Sequence, residues 1–303
     1  MRKRHTSVLA VLLAAASWLA GQENKPVAAP AKVSAAPQPA ILSQDQIKAL
    51  IAKAADNDIQ NDLKSLNYTY ISRTEQHFLD GQGRLKKTES QTTEIMALYG
   101  EQVQRLIAKD DKPLSAKDAA KEEEKIQKLM KERENESESD RNKRLQKEQK
   151  DREEERAFVR EVADAYNFRF VGIEPLEGRD AYVIDAEPRP DFQPHIKDAK
   201  YLPKFRFRAW IDQADQQLVK LDAEAIDTVS WGLFLARIHK GTRFTLEQTR
   251  VNDEVWLPRH ITAKLDARLA LFKSLHMDFD INYKDYKKFR ADTKITPLGE
   301  VQP

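Results

Sequence analysis

The residues best suited to chemistry in this 303-residue chain are its histidines and its acids, and neither set forms a convergent group. His5, His77, His195, His239, His260 and His276 are scattered, and only His239 and His260 have a spacing that lets them face one another across a hairpin. Cysteine is absent, which removes disulfides, thiolate metal sites, a cysteine nucleophile and a cysteine-anchored lipid. Asp278, Asp280 and Asn282 match the first three ligand positions of a calcium loop, but Tyr283 stands where that loop needs glycine and Phe289 where it needs glutamate. Strand alternation explains the same residues better, with Met277, Phe279, Ile281 and Tyr283 inward and the acids outward. The runs Glu122-Glu123-Glu124 and Glu153-Glu154-Glu155 are consecutive helical residues, so they point around the axis and cannot converge as an acid/base pair. Gly81-Gln82-Gly83 lacks the third glycine and following helix of a phosphate loop, and there is no Walker pattern, G-x-S-x-G or His-Glu-x-x-His. The expectation is a protein that is not an enzyme and carries no metal and no cofactor.

What remains is apolar. Ser230 to Ala236 (Ser-Trp-Gly-Leu-Phe-Leu-Ala) is hydrophobic on both faces of an expected strand, and Trp210, Trp231 and Trp256 lie in the same half of the chain. Such a strand is either central and covered on both sides, or the wall of a ligand cavity, since apolar concavities are the usual form of small-molecule sites. On the second reading the wall comprises Trp210, Trp231, Leu233, Phe234, Leu235 and Trp256.

The elements that must position these residues follow from periodicity. Ser43 can cap a helix over about 43–64, in which Ile47, Leu50, Ile51, Ala54, Ala55, Ile59, Leu63 and Leu66 recur at spacings of three and four, with one gap. Tyr68 to Leu79 and Arg84 to Tyr99 read as a hairpin about Asp80-Gly81-Gln82-Gly83, and Val103 to Ala108 as a third strand. Residues 116–156 then hold 13 Lys/Arg and 14 Asp/Glu with no glycine or proline, which predicts two charged helices, about 116–134 and 140–166, folded back or projecting. After Asn167 the pattern is strand and turn to the end. That makes about ten strands in meander order, and alternation of this kind fits an antiparallel sheet with one buried face.

Arg2-Lys3-Arg4 followed by an apolar stretch of 13 residues, Val8 to Ala20, reads as a secretory signal over 1–20. Gln22 stands where a lipoprotein signal needs its acylated cysteine, so the expected product is exported to a bacterial periplasm or envelope and soluble as written. Residues 21–42 are Ala/Pro-rich, a spacer that cannot bury enough apolar surface to fold. Three of the 51 basic residues sit in Arg2-Lys3-Arg4; without them the chain is one charge negative against its 49 acids, which leaves no footprint for nucleic acid.

Taken in order, the signal, the amphipathic helix at 43–64, the strand Tyr68-Thr69-Tyr70-Ile71-Ser72, and the late turn and strand Val251-Asn252-Asp253-Glu254-Val255-Trp256-Leu257-Pro258-Arg259-His260 resemble the outer-membrane lipoprotein-sorting proteins of the LolA/LolB type. The resemblance spans about 43–110 and 167–290. It implies an α+β, mostly antiparallel fold: a strongly curved, incomplete β-barrel wrapped on the N-terminal helix, with residues 43–290 as a single domain, a charged helical insertion at 115–166 and a tail at 291–303. It also implies a non-catalytic carrier holding lipid or lipoprotein acyl chains in the apolar half-barrel. The alternative is an interaction or sensor module that docks an envelope protein partner through helices 116–166.

Overall fold

The computed structural model describes residues 42–99, 101–231, 236–269 and 273–288. The expected signal, nearly all of the spacer and the tail lie outside the described residues.

Ser43 starts the first helix, α1 (Gln44–Ser65), with a capping box. Its hydroxyl accepts from the Gln46 N–H, and the Gln46 side chain accepts from the Ser43 N–H at 2.8 Å. Ile47, Leu50, Ile51 and Ala54 are buried along one stripe. At about 100° per residue the same stripe continues through Asn57, Asp58 and Asn61, whereas Leu63 has rotated to the opposite side and is 42% exposed. The first half of this stripe therefore packs and the second half hydrogen-bonds, while Ile59 is buried off the stripe.

Thirteen strands form one antiparallel sheet among the described residues. They are β1 (Tyr68–Leu79), β2 (Leu85–Leu98), β3 (Glu101–Lys109) and β4 (Lys112–Pro113) before the charged helices, and β5 (Tyr166–Leu176), β6 (Arg179–Pro188), β7 (Phe205–Asp212), β8 (Leu218–Ala225), β9 (Val229–Trp231), β10 (Ala236–Ile238), β11 (Arg243–Val251), β12 (Val255–Leu269) and β13 (Lys273–Lys288) after them. The order across the sheet is β4-β3-β2-β1-β13-β12-β11-β8-β7-β6-β5, with the β9–β10 pair joined to β12 through β10. Simple meander order fails at two points: β11 pairs with β8, passing over β9 and β10, and β1 pairs with β13, so the first and last strands meet in mid-sheet. The doubly apolar segment is also not one strand. Trp231 stands opposite Ala236 in an antiparallel pair, so β9 and β10 are separate arms rather than parts of one strand.

The sheet is open, because β4 and β5 end it without pairing to one another. Its curvature follows from α1. The helix side chains reach β5 (Gln44 to the Phe168 carbonyl, 2.5 Å), the β7–β8 turn (Asn57 to the Asp215 and Gln216 carbonyls, 2.9 Å each), β12 (Asn61 to Trp256) and β3 (Ser65 from Gln102, 3.3 Å). From β5 to β3 is nine strand spacings, about 43 Å of sheet, and a 22-residue helix is about 33 Å long. A straight rod touches both ends of the longer arc only if the sheet wraps around it.

The charged segment forms α2 (Ala116–Glu134) and α3 (Glu138–Ala165), capped by Ser115 and Ser137. α2 lies along β3, most of which lies beyond the reach of the two-residue edge strand β4. The Leu106 N–H donates to Glu122 at 3.3 Å, Arg105 pairs with Glu123 at 3.2 Å, and Ile126 is buried. The edge that would otherwise template another strand is thus covered. α3 then crosses to the opposite edge, where Phe158, Val162 and Ala165 pack with α1 before the chain enters β5. The insertion neither folds back on itself alone nor projects: it arches from one free edge of the sheet to the other.

Candidate functional site

Alternation along β7 divides the two faces. Phe205, Phe207, Ala209 and Ile211 face the concave side with α1, and Arg206, Arg208, Trp210 and Asp212 face the convex side. The concave face is apolar in successive groups. Ile47, Leu50, Ile51 and Ala54 of α1 join the first group only, with Tyr166, Phe168, Ile184 and Ile211. Further round the curve lie Leu221, Phe244, Leu246 and Ile261, and beyond them Ala225, Val229, Ile238, Leu265 and Ala267 with Tyr201 and Phe205. Where β1 meets β13, Tyr70 packs with Tyr283 and Tyr286, ring centres 6.0 and 5.4 Å away. Burial pushes the Tyr283 phenol up to about 12.

One end of the arch is pinned by ions. Glu101 of β3 holds Arg133 of α2 at 3.1 Å and Arg144 of α3 at 3.3 Å, and Arg144 also bonds Glu136 at 2.8 Å. All four side chains are 15% exposed or less, so these pairs are screened far less than surface ones. The Glu136 hydrogen bond raises the Arg144 guanidinium, and the Glu136 carboxyl is lowered in return. Between the pin and Phe158, α3 is mostly exposed; Leu145 is 44% open to solvent.

The candidate wall residues are placed as follows. Trp210 and Trp256 come together with Ala181, Val183 and Val219 on the convex face, opposite α1. Trp231 ends β9, and Leu233, Phe234 and Leu235 lie outside the described residues. A register shift between β7 and β8 at Trp210/Ile211 explains the company. Val219 is the extra residue there, and it joins the convex cluster while Lys220 lies over the Trp210 ring at 5.0 Å. The indole N–H groups are satisfied by acids: Trp210 by Glu174 at 2.7 Å and Trp256 by Asp215 at 3.0 Å. Sequence alternation separates Trp210 from its neighbours but does not show which row faces the helix.

His239 and His260 do not meet; each takes its own acid, Asp266 at 2.8 Å and Asp280 at 3.0 Å. Among the described residues no group of three or more His, Asp or Glu side chains is placed to hold a metal ion, and no helix is long and apolar enough to cross a membrane. Sequence reasoning missed Asn57, Asp58 and Asn61, which continue the buried stripe of α1. Their positions in the helical period were a signal, but polar side chains do not register in an apolar pattern.

No family model matches the sequence, and no curated protein matches it. Solved structures do. An outer membrane lipoprotein-sorting protein domain from Vibrio parahaemolyticus is similar at 11% identity and a TM-score of 0.33, over 81% of this chain and 95% of that one. A DUF1329 family protein from Desulfovibrio piger is similar at 11% identity and a TM-score of 0.30, over 82% and 95%. A LolA superfamily protein from Nitrosomonas europaea is similar at 10% identity and a TM-score of 0.26, over 80% and 93%. The first and third are of the kind the sequence resembles.

Proposed function

We propose that this chain is a non-catalytic envelope carrier that holds lipid or lipoprotein acyl chains against the concave face of its open sheet. The supporting observation is the extent of that face. Its apolar residues continue through Phe244, Leu246, Ile261, Leu265 and Ala267, past the stretch where α1 packs. The convex face of β5–β8, by contrast, carries ion ladders such as Arg169–Asp185–Arg208 and Arg206–Glu224–Arg243. Apolar concavities are the usual form of sites for ligands of matching chemistry. The concave residues are buried as the structure stands, so loading requires α1 or the arch to give way. Leu233, Phe234 and Leu235 belong by composition with such a wall.

Native mass spectrometry of the protein purified from the envelope fraction without detergent tests this reading. Photoactivatable palmitate supplies a second readout. Acyl mass that dissociates in the gas phase, together with crosslinks on peptides of β11 and β12, is expected. A clean apo mass with no crosslink overturns the carrier reading.

The exposed middle of α3 favours a second reading, in which the arch docks an envelope protein. Crosslinking through Lys143, Lys147 and Lys150 in intact envelopes would then capture one partner, which a pure lipid carrier would not give.

A further inference from the structure

The convex face holds a cavity of about 160 Å³ that the carrier reading does not use. Its floor is Leu176, Ala181, Val219 and Trp256, and its rim carries Arg179, Lys220, Arg250 and Arg259. The volume is on the order of the cavities that accept a benzene ring. Among the lining residues the cations outnumber the acids Glu177, Asp212 and Glu247 by one.

Three of the four rim cations are matched by acids fixed in the sheet or its turns. Arg179 forks onto Asp212 with two bonds of 2.7 Å, Arg250 bonds Asp215 at 2.9 Å, and Lys220 bonds Glu247 at 3.2 Å. Arg259 differs. It shares Glu247 at 2.7 Å, and its other partner is Glu177. Glu177 sits at the tip of the β5–β6 hairpin, three strands away in sheet order from β11, and is held there also by Thr249 at 3.0 Å. The tip is a two-residue turn with positive φ at Glu177 (51°) and Gly178 (79°), and the Glu177 side chain is 43% exposed. An exposed pair of this kind contributes little to stability, about 0–1 kcal/mol, so the Glu177 carboxylate is the exchangeable one.

We propose that this cavity binds a small molecule bearing a carboxylate on an aromatic or short apolar body, and that Glu177 occupies the carboxylate's seat on Arg259 until the ligand displaces it. The apolar body lies against the Trp256 indole, beside the Arg179 guanidinium 5.6 Å from the ring centre. The acid group forms a forked bond with Arg259, the geometry guanidinium favours. With Asp215 counted, the rim cations and their acids balance, so moving Glu177 away leaves one cation in excess, which favours an anionic ligand over a cationic one. The site is on the opposite face from the acyl chamber, so its failure would leave the carrier reading untouched, and the reverse also holds.

Phenylacetate is the probe, with benzylamine as the charge-reversed control, titrated against the full chain. The readouts are tryptophan fluorescence and the Trp256 indole N–H resonance in NMR. Phenylacetate is expected to shift that resonance saturably and benzylamine to leave it unmoved. Glu177→Gln removes the competing carboxylate and should tighten binding by about tenfold, while Arg259→Met should weaken it by about tenfold or more. Both positions are half exposed, and unchanged melting temperatures confirm that the variants fold. No saturable shift in either the wild type or Glu177→Gln overturns the proposal. So does equal binding of benzylamine, or affinity indifferent to both substitutions.

Discussion

The side-chain amide of Asn61 takes both backbone hydrogen bonds of Trp256. Its Oδ1 accepts from the Trp256 N–H at 2.6 Å, and its Nδ2 donates to the Trp256 carbonyl. The β12–β13 ladder begins only at His260, so at Trp256 the strand has Arg250 of β11 on one side and no strand on the other. Asn61 stands in for the missing neighbour and ties α1 to the middle of the sheet.

Asn61→Ala strands a buried N–H and a buried carbonyl, which should cost about 2–4 kcal/mol, the desolvation penalty of two such groups. Asn61→Asp keeps the acceptor but sets a carboxylate against the carbonyl, and should be no better. Leu63→Ala, at an exposed position of the same helix, should stay within about 0.5 kcal/mol. Urea unfolding curves compare the three, and a small loss for Asn61→Ala would refute the bridging role.

Asp212 gives the fold an acid limit. Burial raises its pKa, but the Arg179 fork and the Asp215 N–H at 2.7 Å outweigh that and hold it below the ordinary carboxylate value. A carboxyl lowered on folding contributes stability that is complete above its unfolded pKa of about 4 and is lost as pH falls through the folded value. Asp212→Asn should therefore be destabilised at pH 7, by about 3 kcal/mol as the buried partner of an ion pair. Its melting temperature should fall less steeply than that of the wild type below about pH 4. Parallel slopes would exclude Asp212 as the titrating group.

Glu101→Gln tests the pin of the arch. Arg133 and Arg144 would keep their burial and lose their shared acid. Amide exchange in α2, in the first turns of α3 and in β3 should quicken by about tenfold or more, which corresponds to about 1.4 kcal/mol. Exchange in the packed half of α1 should not change. A uniform rise across the chain would mean that the pin stabilises the whole domain.

At the other foot of the arch, Phe158→Ala removes a buried ring from the group formed by α1 and β5. A loss of about 3–5 kcal/mol is expected from the lost burial and the cavity left behind. Global unfolding, rather than local exchange, is the appropriate measurement, because this foot belongs to the core while the pinned foot stands at the edge of the sheet.

Helix and strand positions were legible because they depend on near neighbours. Ser43 with Gln46 specifies the start of α1, the absence of glycine and proline through 116–156 permits two long helices, and alternation marks β7 and β8 residue by residue. The apolar character of one face also follows from that alternation, whereas the openness of the sheet was implied only by the family resemblance. What depended on distant partners was not legible. No local pattern says that β1 pairs with β13, that Trp231 opposes Ala236, or that Trp210 and Trp256 meet behind the sheet. The arch is the clearest case: its charge pattern is that of any solvated helix pair, and only the sheet order places its two feet on opposite free edges. The amino-acid sequence by itself determined the elements, their caps and their two-faced character, because propensity and periodicity act over a few residues. The tertiary structure decided which face meets α1, where the buried acids find their arginines and which edges are covered, because those outcomes rest on contacts between residues far apart in the chain.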